Sequence, residues 1–189
     1  MDHCQLPWKF DSQRLQAELQ QLQQQPWIAH FVQQNYTGEW DILPLRGPAD
    51  AQHPVRMAYS DPACKAFADT PFLQPNSYLR EVLDTFYCPL LSVRLMRLSP
   101  GSQIKEHRDH DLCVEQGFAR LHIPITTNPD VVFLLNGKRV LMQEGECWYL
   151  RLQDLHAVSN HGTTDRVHLV IDAKVNDWLA EQLSLCALS

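Results

Sequence analysis

The chain has 189 residues, 44% hydrophobic and 20% charged, and a formal net charge of −6. A chain of this length buries roughly two thirds of its unfolded surface, so one soluble domain is stable without disulfides or a structural metal. The negative net charge and the lack of a basic stripe argue against a nucleic-acid partner. The lack of an apolar run of about 18 residues argues against a membrane span. Because the first ten residues do not form an apolar signal segment, we predict a cytoplasmic protein.

The six cysteines are scattered and include no C-x-x-C pair. This spacing argues against a zinc knuckle and against a thioredoxin-like motif. Three disulfides are the alternative in a secreted protein, but separate buried thiols fit a cytoplasmic chain better. We therefore predict six unpaired thiols, at Cys4, Cys64, Cys88, Cys113, Cys147 and Cys186.

The first predicted element is a helix. Asp11 is a capping residue, and Leu15, Leu19 and Leu22 follow it at helical spacing until Pro26 ends the pattern. Prolines and aromatic residues interrupt the segment 27–75, which predicts short strands and loops.

A second helix is predicted after this segment, with Asn76 or Ser77 as its cap and Pro89 as its end. Its apolar stripe is Leu79, Val82, Leu83 and Phe86.

Beyond Pro89 the apolar period changes from 3.6 to 2, which indicates strands. Asn136-Gly137 between two apolar runs is typical of a two-residue hairpin. No helix separates these strands, so a parallel Rossmann sheet is excluded and an antiparallel sandwich or barrel such as a jelly roll is favoured. A last helix is predicted over 176–183. The predicted strands are 91–98, 103–109, 118–126, 131–135, 138–142, 147–152, 156–159 and 166–172.

The segment Glu106-His107-Arg108-Asp109-His110 places a histidine and a carboxylate two positions apart. Side chains at i and i+2 of a strand project from one face, so His107 and Asp109 can converge on one point. These are two of the three ligands in the facial triad that binds non-haem Fe(II) and leaves positions open for a co-substrate and oxygen. A lone H-x-D pair is more often a charged strand edge, so the interpretation needs a third ligand.

Two histidines, His156 and His161, are candidates for the third ligand. The polar segment 159–165 predicts a hairpin turn centred near His161. In that hairpin His156 faces Arg166 across the ladder, with Cβ atoms roughly 5 Å apart, and His161 points to solvent. We therefore predict His156 as the ligand. Arg166 is then placed to bind the distal carboxylate of a dicarboxylic co-substrate; its alternative role is a surface ion pair.

A further cationic pair lies in the predicted strand 118–126. Alternation places Arg120 and His122 on one face and the apolar residues 119, 121, 123 and 125 on the other, where they are predicted to pack against the second sheet. Burying Arg120 and His122 without hydrogen-bond partners would cost roughly several kcal/mol of desolvation free energy. Either a bound anion or an internal ion pair would offset that cost.

Four segments, taken in order, resemble the aspartyl/asparaginyl β-hydroxylase family, which includes some bacterial proline hydroxylases. The resemblance covers about residues 92–175 and implies a mainly β protein with flanking helices, a double-stranded β-helix of the jelly-roll or cupin type that uses Fe(II) and 2-oxoglutarate. The segments are E-H-R-D-H, A-R-L-H-I-P-I, E-G-E-C-W-Y-L-R-L-Q-D-L-H-A-V and D-R-V-H-L-V-I-D.

The resemblance also implies roles for individual residues. Vertebrate aspartyl hydroxylases lack a carboxylate at the position of Asp109, whereas proline-hydroxylase-like members have one, so this sequence is similar to the latter. The implied reaction decarboxylates 2-oxoglutarate to succinate and CO2 while O2 hydroxylates a substrate. The implied iron ligands are His107, Asp109 and His156, and the implied co-substrate residues are Arg166, Arg120 and His122.

The whole chain, 1–189, is thus predicted to be one oxygenase domain, with N-terminal helices and an irregular substrate-side region over 1–89 and a jelly-roll core over 90–175. The predicted function is hydroxylation of an amino acid, a peptide or a related small molecule. The alternatives are a catalytically silent cupin-type metal-binding module and a cupin dioxygenase independent of 2-oxoglutarate. Three arginines are candidates to bind a substrate carboxylate, and the alternative is that they are ordinary surface cations: Arg46, Arg94 and Arg97. We expect Cys113 either to line the entrance of the barrel or to pack beneath it.

Overall fold

A computed structural model describes residues 1–58, 64–110 and 112–186 as two antiparallel β-sheets and four α-helices. The strands are β1 His3–Lys9, β2 Ile28–Ala29, β3 Tyr36–Thr37, β4 Trp40–Pro48, β5 Phe67–Asp69, β6 Leu90–Leu98, β7 Gln103–His107, β8 Phe118–Thr126, β9 Val131–Leu135, β10 Lys138–Arg139, β11 Glu146–Leu150, β12 His156–Asn160 and β13 Arg166–Lys174. The helices are α1 Ser12–Leu22, α2 Pro54–Ala58, α3 Tyr78–Asp84 and α4 Asp177–Cys186.

The two sheets lie face to face as a double-stranded β-helix, the jelly-roll fold predicted from the sequence. The larger sheet has the order β1-β11-β8-β13-β6-β4-β2, and β5 also pairs with β4. The smaller sheet has the order β10-β9-β12-β7-β3. Within the described ranges none of the four helices is both long and apolar enough to cross a bilayer.

The predicted helices are confirmed, with small shifts of their ends. Asp11 caps α1 by accepting hydrogen bonds from two backbone N–H groups, and the Ser77 hydroxyl caps α3 by accepting from the backbone N–H of Arg80. The amide side chain of Asn176 begins α4 by accepting from the backbone of Leu179. The N-terminal strand β1, which was not predicted, pairs with β11 at the edge of the larger sheet.

The segment 27–75 contains a longer strand than predicted, the nine-residue β4. Its even positions Trp40 and Ile42 belong to the core between the sheets, and its odd positions Leu43 and Leu45 belong to the core beneath the helices. Because both faces are apolar, the period of two that marks a half-exposed strand is absent.

The apolar face of β8 packs on the opposite side from the one predicted. Ala119, Leu121, Ile123 and Ile125 join the core that includes the buried residues of α1, α3 and α4, not the core between the two sheets. The alternation itself is confirmed, since the other face of β8 looks toward the smaller sheet. Helices α1, α3 and α4 cover this outer face of the larger sheet, a position that the sequence did not predict.

The hairpin at Asn136-Gly137 is confirmed. Lys138 of β10 pairs with Leu135 of β9, and the two turn residues have φ values of 51° and 73°. Both angles are positive, as a type I′ turn requires, and glycine adopts this conformation without a steric penalty.

The predicted hairpin between His156 and Arg166 is wrong. β12 pairs with β7 and β9 of the smaller sheet, whereas β13 pairs with β6 and β8 of the larger one. The polar segment between them is a corner that crosses from one sheet to the other. The buried Asn160 holds this corner, because its side chain donates to the carbonyls of Leu98 and Thr164 and accepts from the backbone of Gly162.

The prediction of six unpaired thiols is also wrong. Cys4 of β1 and Cys186 of α4 form a disulfide that joins positions 182 residues apart. The missed strand explains the error, because only β1 brings Cys4 to the C-terminal helix. The other four cysteines are free thiols, two of them buried.

Candidate metal and anion site

Three potential metal ligands meet in the cavity between the two sheets. His107, the last residue of β7, lies directly opposite His156, the first residue of β12, and their ring centroids are 4.2 Å apart. Asp109 follows β7 by two residues, and its carboxylate lies 3.5 Å from Nε2 of His107. One donor atom from each residue lies within 4.8 Å of the others. The antiparallel register, and not a hairpin with Arg166, brings the histidines together.

Backbone carbonyls fix which nitrogen of each imidazole faces the cavity. Nδ1 of His107 lies 2.7 Å from the carbonyl of Lys105, and Nδ1 of His156 lies 3.0 Å from that of Asp154. A carbonyl only accepts, so Nδ1 carries the proton and donates in both rings. In the neutral form of each ring Nε2 therefore has a free lone pair, which is the usual arrangement of histidine ligands.

The protonation states of Asp109 and His156 suit a divalent cation, whereas at His107 burial lowers the pKa but contact with the Asp109 carboxylate raises it above the usual value, so a metal ion would displace a proton there. Burial lowers the pKa of His156, which keeps that imidazole neutral. Burial alone would raise the pKa of Asp109, but the guanidinium of Arg120, 2.6 Å away, holds it well below its usual range. Two imidazole nitrogens and one carboxylate are the donor set of non-haem Fe(II) sites with open positions.

The cavity around these ligands has a volume of 820 Å3 and takes residues from both sheets and from the N-terminal half. His30 stacks on Trp40 at 3.6 Å between ring centroids, and both line the cavity beside Phe67. Burial lowers the pKa of His30 to about 3, so this ring is neutral and acts as an aromatic surface. The N-terminal half thus forms part of the wall that a substrate would meet.

A chain of buried ion pairs forms the wall opposite the histidines. Arg120 donates through Nη1 to Asp109 at 2.6 Å and through Nε and Nη2 to Asp172 at 2.6 and 2.9 Å. Arg94 also donates to Asp172. Asp172 was not predicted as a site residue, although alternation from Arg166 places residues 166, 168, 170 and 172 on one face of β13.

Arg166 differs from these paired cations. It is 3% exposed and lines the cavity, yet it has no carboxylate partner among the described residues. Its side chain contacts Nδ1 of His168 at 2.9 Å, and its Nε makes no hydrogen bond. Burial lowers the pKa of Arg166 to about 9, so the guanidinium is still charged at neutral pH. A buried cation without a carboxylate partner is chemically suited to an anion, which would compensate its charge.

The remaining candidates lie in different surroundings. His161 is exposed in the corner after β12, as predicted. Arg46 pairs with Asp69 and backbone carbonyls, and Arg97 pairs with Asp41, so neither is available to a ligand in the cavity. Arg94 and His122 are buried cavity residues, and Cys113 is buried next to the cavity residue Leu112.

The fold and the site together define a jelly-roll protein with a two-histidine, one-carboxylate cluster in its central cavity. The model of the Aspartyl/Asparaginyl beta-hydroxylase family matches residues 9–175. The chain therefore belongs to this family, as the sequence motifs indicated.

Individual relatives agree with this assignment. The chain is 29% identical over 170 residues to the L-proline cis-4-hydroxylase of Rhizobium meliloti (strain 1021), covering 87% of this chain and 58% of that protein. The chain thus spans less than two thirds of that relative's length.

Two solved structures share the fold. One is a 2OG-Fe(II) oxygenase family oxidoreductase from Burkholderia pseudomallei, with a TM-score of 0.56 and 17% identity over 92% of this chain and 85% of that one. The other is HygX from Streptomyces hygroscopicus with nickel and 2-oxoglutarate bound, with a TM-score of 0.55 and 12% identity over 93% and 84%.

Proposed function

We propose that the protein is an Fe(II)- and 2-oxoglutarate-dependent dioxygenase that hydroxylates an amino acid, a peptide or a related small molecule. The observation that carries this proposal is the coexistence, in one cavity, of a His107-Asp109-His156 cluster with the unpaired buried cation of Arg166. A cupin that only binds metal, or one that works without a keto acid, has no use for that cation.

In the proposed reaction, 2-oxoglutarate, O2 and a substrate C–H group give succinate, CO2 and a substrate C–OH group. His107, Asp109 and His156 would hold Fe(II), which together with the keto acid supplies the oxidising chemistry. The protein's own part is geometric, because three protein ligands leave the remaining coordination positions open.

Arg166 would bind the distal carboxylate of 2-oxoglutarate through its free donors. Arg120 has a different role in this proposal from the one implied by the resemblance. Its Nε, Nη1 and Nη2 are already bonded to carboxylates, so it would position Asp109 and keep that ligand ionised. His122 would line the co-substrate pocket, and its buried Nε2 has no partner.

The substrate would bind on the side of the cavity formed by Arg94 and the His30–Trp40 stack. The name of the Rhizobium relative makes L-proline the first candidate to test. O2 as co-reactant, the single domain over 1–189 and the cytoplasmic location belong to the same proposal.

Metal binding and turnover test this function separately. Titration of the apoprotein with Fe(II) without oxygen should show one site that His107→Ala and His156→Ala abolish. His161→Ala is the matched control, because this histidine is exposed and outside the cluster. With Fe(II), 2-oxoglutarate and O2, the parent protein should release succinate in the presence of L-proline or another member of an amino-acid and peptide panel. Unchanged Fe(II) affinity in His107→Ala, or no 2-oxoglutarate consumption with any panel member, would contradict the proposal.

A further inference from the structure

We propose that His168 is a positioning residue that directs the guanidinium of Arg166 toward the co-substrate and sets the tautomer of His122. This inference rests on the proposed function, because it concerns how 2-oxoglutarate would be held. His168 lies within the D-R-V-H-L-V-I-D segment but has no role assigned there, and it is not part of the metal cluster.

The first observation is that the three side chains form a continuous buried chain. Arg166 and His168 share the inward face of β13, and Nη2 of Arg166 lies 2.9 Å from Nδ1 of His168. His122 is on the neighbouring strand β8, diagonally across the ladder from His168, and the two Nδ1 atoms are 3.3 Å apart. All three residues are at most 5% exposed.

The donor and acceptor roles along this chain follow from chemistry. A guanidinium has only donors, so Nδ1 of His168 must accept, and the proton of that ring is on Nε2. Nδ1 of His122 faces the lone pair on Nδ1 of His168 at 3.3 Å. Two lone pairs would repel each other at this distance, so Nδ1 of His122 carries a proton and shares that acceptor with Arg166. Nε2 of His122 is then an unprotonated acceptor, and it is the atom that is buried without a partner. Burial and the charge of Arg166 lower the pKa of both rings well below the usual range, which excludes a doubly protonated imidazole.

The second observation is that open space lies on both sides of Arg166. The central cavity of 820 Å3 and a second cavity of 760 Å3 both include Arg166 and Phe133 in their walls. His168 lines only the second cavity. Arg166 therefore lies between two cavities, and its hydrogen bond to His168 is a directional contact that favours one orientation of the guanidinium. Without this acceptor, the long arginine side chain has other rotamers to adopt.

The experiment compares two keto acids on two variants. His168→Leu removes the acceptor but keeps a similar volume, whereas His168→Asn retains an oxygen near the position of Nδ1. Mn(II) replaces Fe(II) to prevent turnover, and calorimetry gives the affinity for 2-oxoglutarate and for 2-oxopentanoate, which has the same chain length but no distal carboxylate. Val167→Ala is the matched control, because Val167 is equally buried on the opposite face of β13.

We expect His168→Leu to weaken 2-oxoglutarate about tenfold, the effect of one hydrogen bond to a charged group, and to leave 2-oxopentanoate within about twofold. His168→Asn should restore most of the difference, and Val167→Ala should change neither affinity. Equal weakening of both keto acids would show a merely structural role and would overturn the proposal, as would unchanged binding of both.

Two further measurements keep the inference separate from the proposed function and from folding. If Arg166→Leu does not weaken 2-oxoglutarate, the anchor itself fails; if it does while His168→Leu has no effect, only the role of His168 fails. In the parent protein, long-range 1H–15N spectra should show His168 protonated at Nε2 and His122 at Nδ1. The opposite tautomer at either ring would overturn the proposal even if His168→Leu does not fold.

Discussion

The substitution Asp172→Asn should destabilise the protein strongly, because Asp172 is the shared partner of two buried guanidinium groups. Asp172 is 2% exposed, and its two oxygens receive hydrogen bonds from both Arg94 and Arg120. Asparagine keeps the shape but removes the charge, and it places an amide nitrogen against a donor. Arg94 then has no carboxylate partner among the described residues, whereas Arg120 still has Asp109.

The expected loss is about 3–5 kcal/mol in the free energy of unfolding, the usual result of removing one member of a buried ion pair. The pair itself need not be a large source of stability, because desolvation offsets most of the attraction. The loss arises because a buried charge is left uncompensated.

Urea unfolding at pH 7.5, followed by circular dichroism, measures this loss. Glu81→Gln is the control, because Glu81 makes a two-oxygen contact with Arg14 in which both side chains are more than half exposed. An exposed pair of this kind contributes about 0–1 kcal/mol. If Asp172→Asn loses no more stability than Glu81→Gln, the network is not a buried electrostatic unit and the reasoning is refuted.

Stability should also fall in mild acid, because burial lowers the pKa of His30 to about 3 and lowers those of His122 and His168 well below the usual range. These rings stay neutral in the folded protein but bind protons in the unfolded chain below about pH 6.5. The free energy of unfolding, measured with urea, should therefore be about 4 kcal/mol lower at pH 5.5 than at pH 7.5. Equal values at the two pH values would contradict the assignment of neutral buried rings. The disulfide between Cys4 and Cys186 closes most of the chain into one loop, so its reduction should lower the free energy of unfolding by up to about 5 kcal/mol. The stability of a Cys186→Ser variant should not depend on reductant. A reductant effect on that variant would count against the disulfide.

Much of the fold was predictable from local patterns. The capped helices, the hairpin at Asn136-Gly137 and the succession of short strands all carry strong signals in a single segment. What failed was pairing between distant segments. The polar stretch after His156 reads as a hairpin, but Asn160 satisfies the backbone groups that let the chain change sheets there. The strand β1 does alternate, with Cys4 and Leu6 buried and Gln5 and Pro7 exposed, but this short run with a proline in it was not recognised as a strand.

The site was predictable in its composition but not in its connections. The sequence indicated His107, Asp109 and His156, and the structure brings them together, although through the pairing of β7 with β12. It also indicated Arg166 as an anion-binding residue, and the absence of a carboxylate beside it among the described residues supports that interpretation. The ion pairs of Arg120 depend on Asp172, 52 positions away, and no local pattern reports such a contact.

The division of the site between the two sheets has a consequence for evolution and engineering. The histidine pair belongs to the smaller sheet, and Arg166 belongs to the larger one. The distance from the histidine pair to the guanidinium of Arg166 therefore depends on the spacing of the two sheets, and Phe133 and Met96, which line the cavity between them, belong to that packing. Under the proposed chemistry, substituting these two residues would change which chain length of keto diacid fits the cavity. The metal ligands and Arg166 would not need to change.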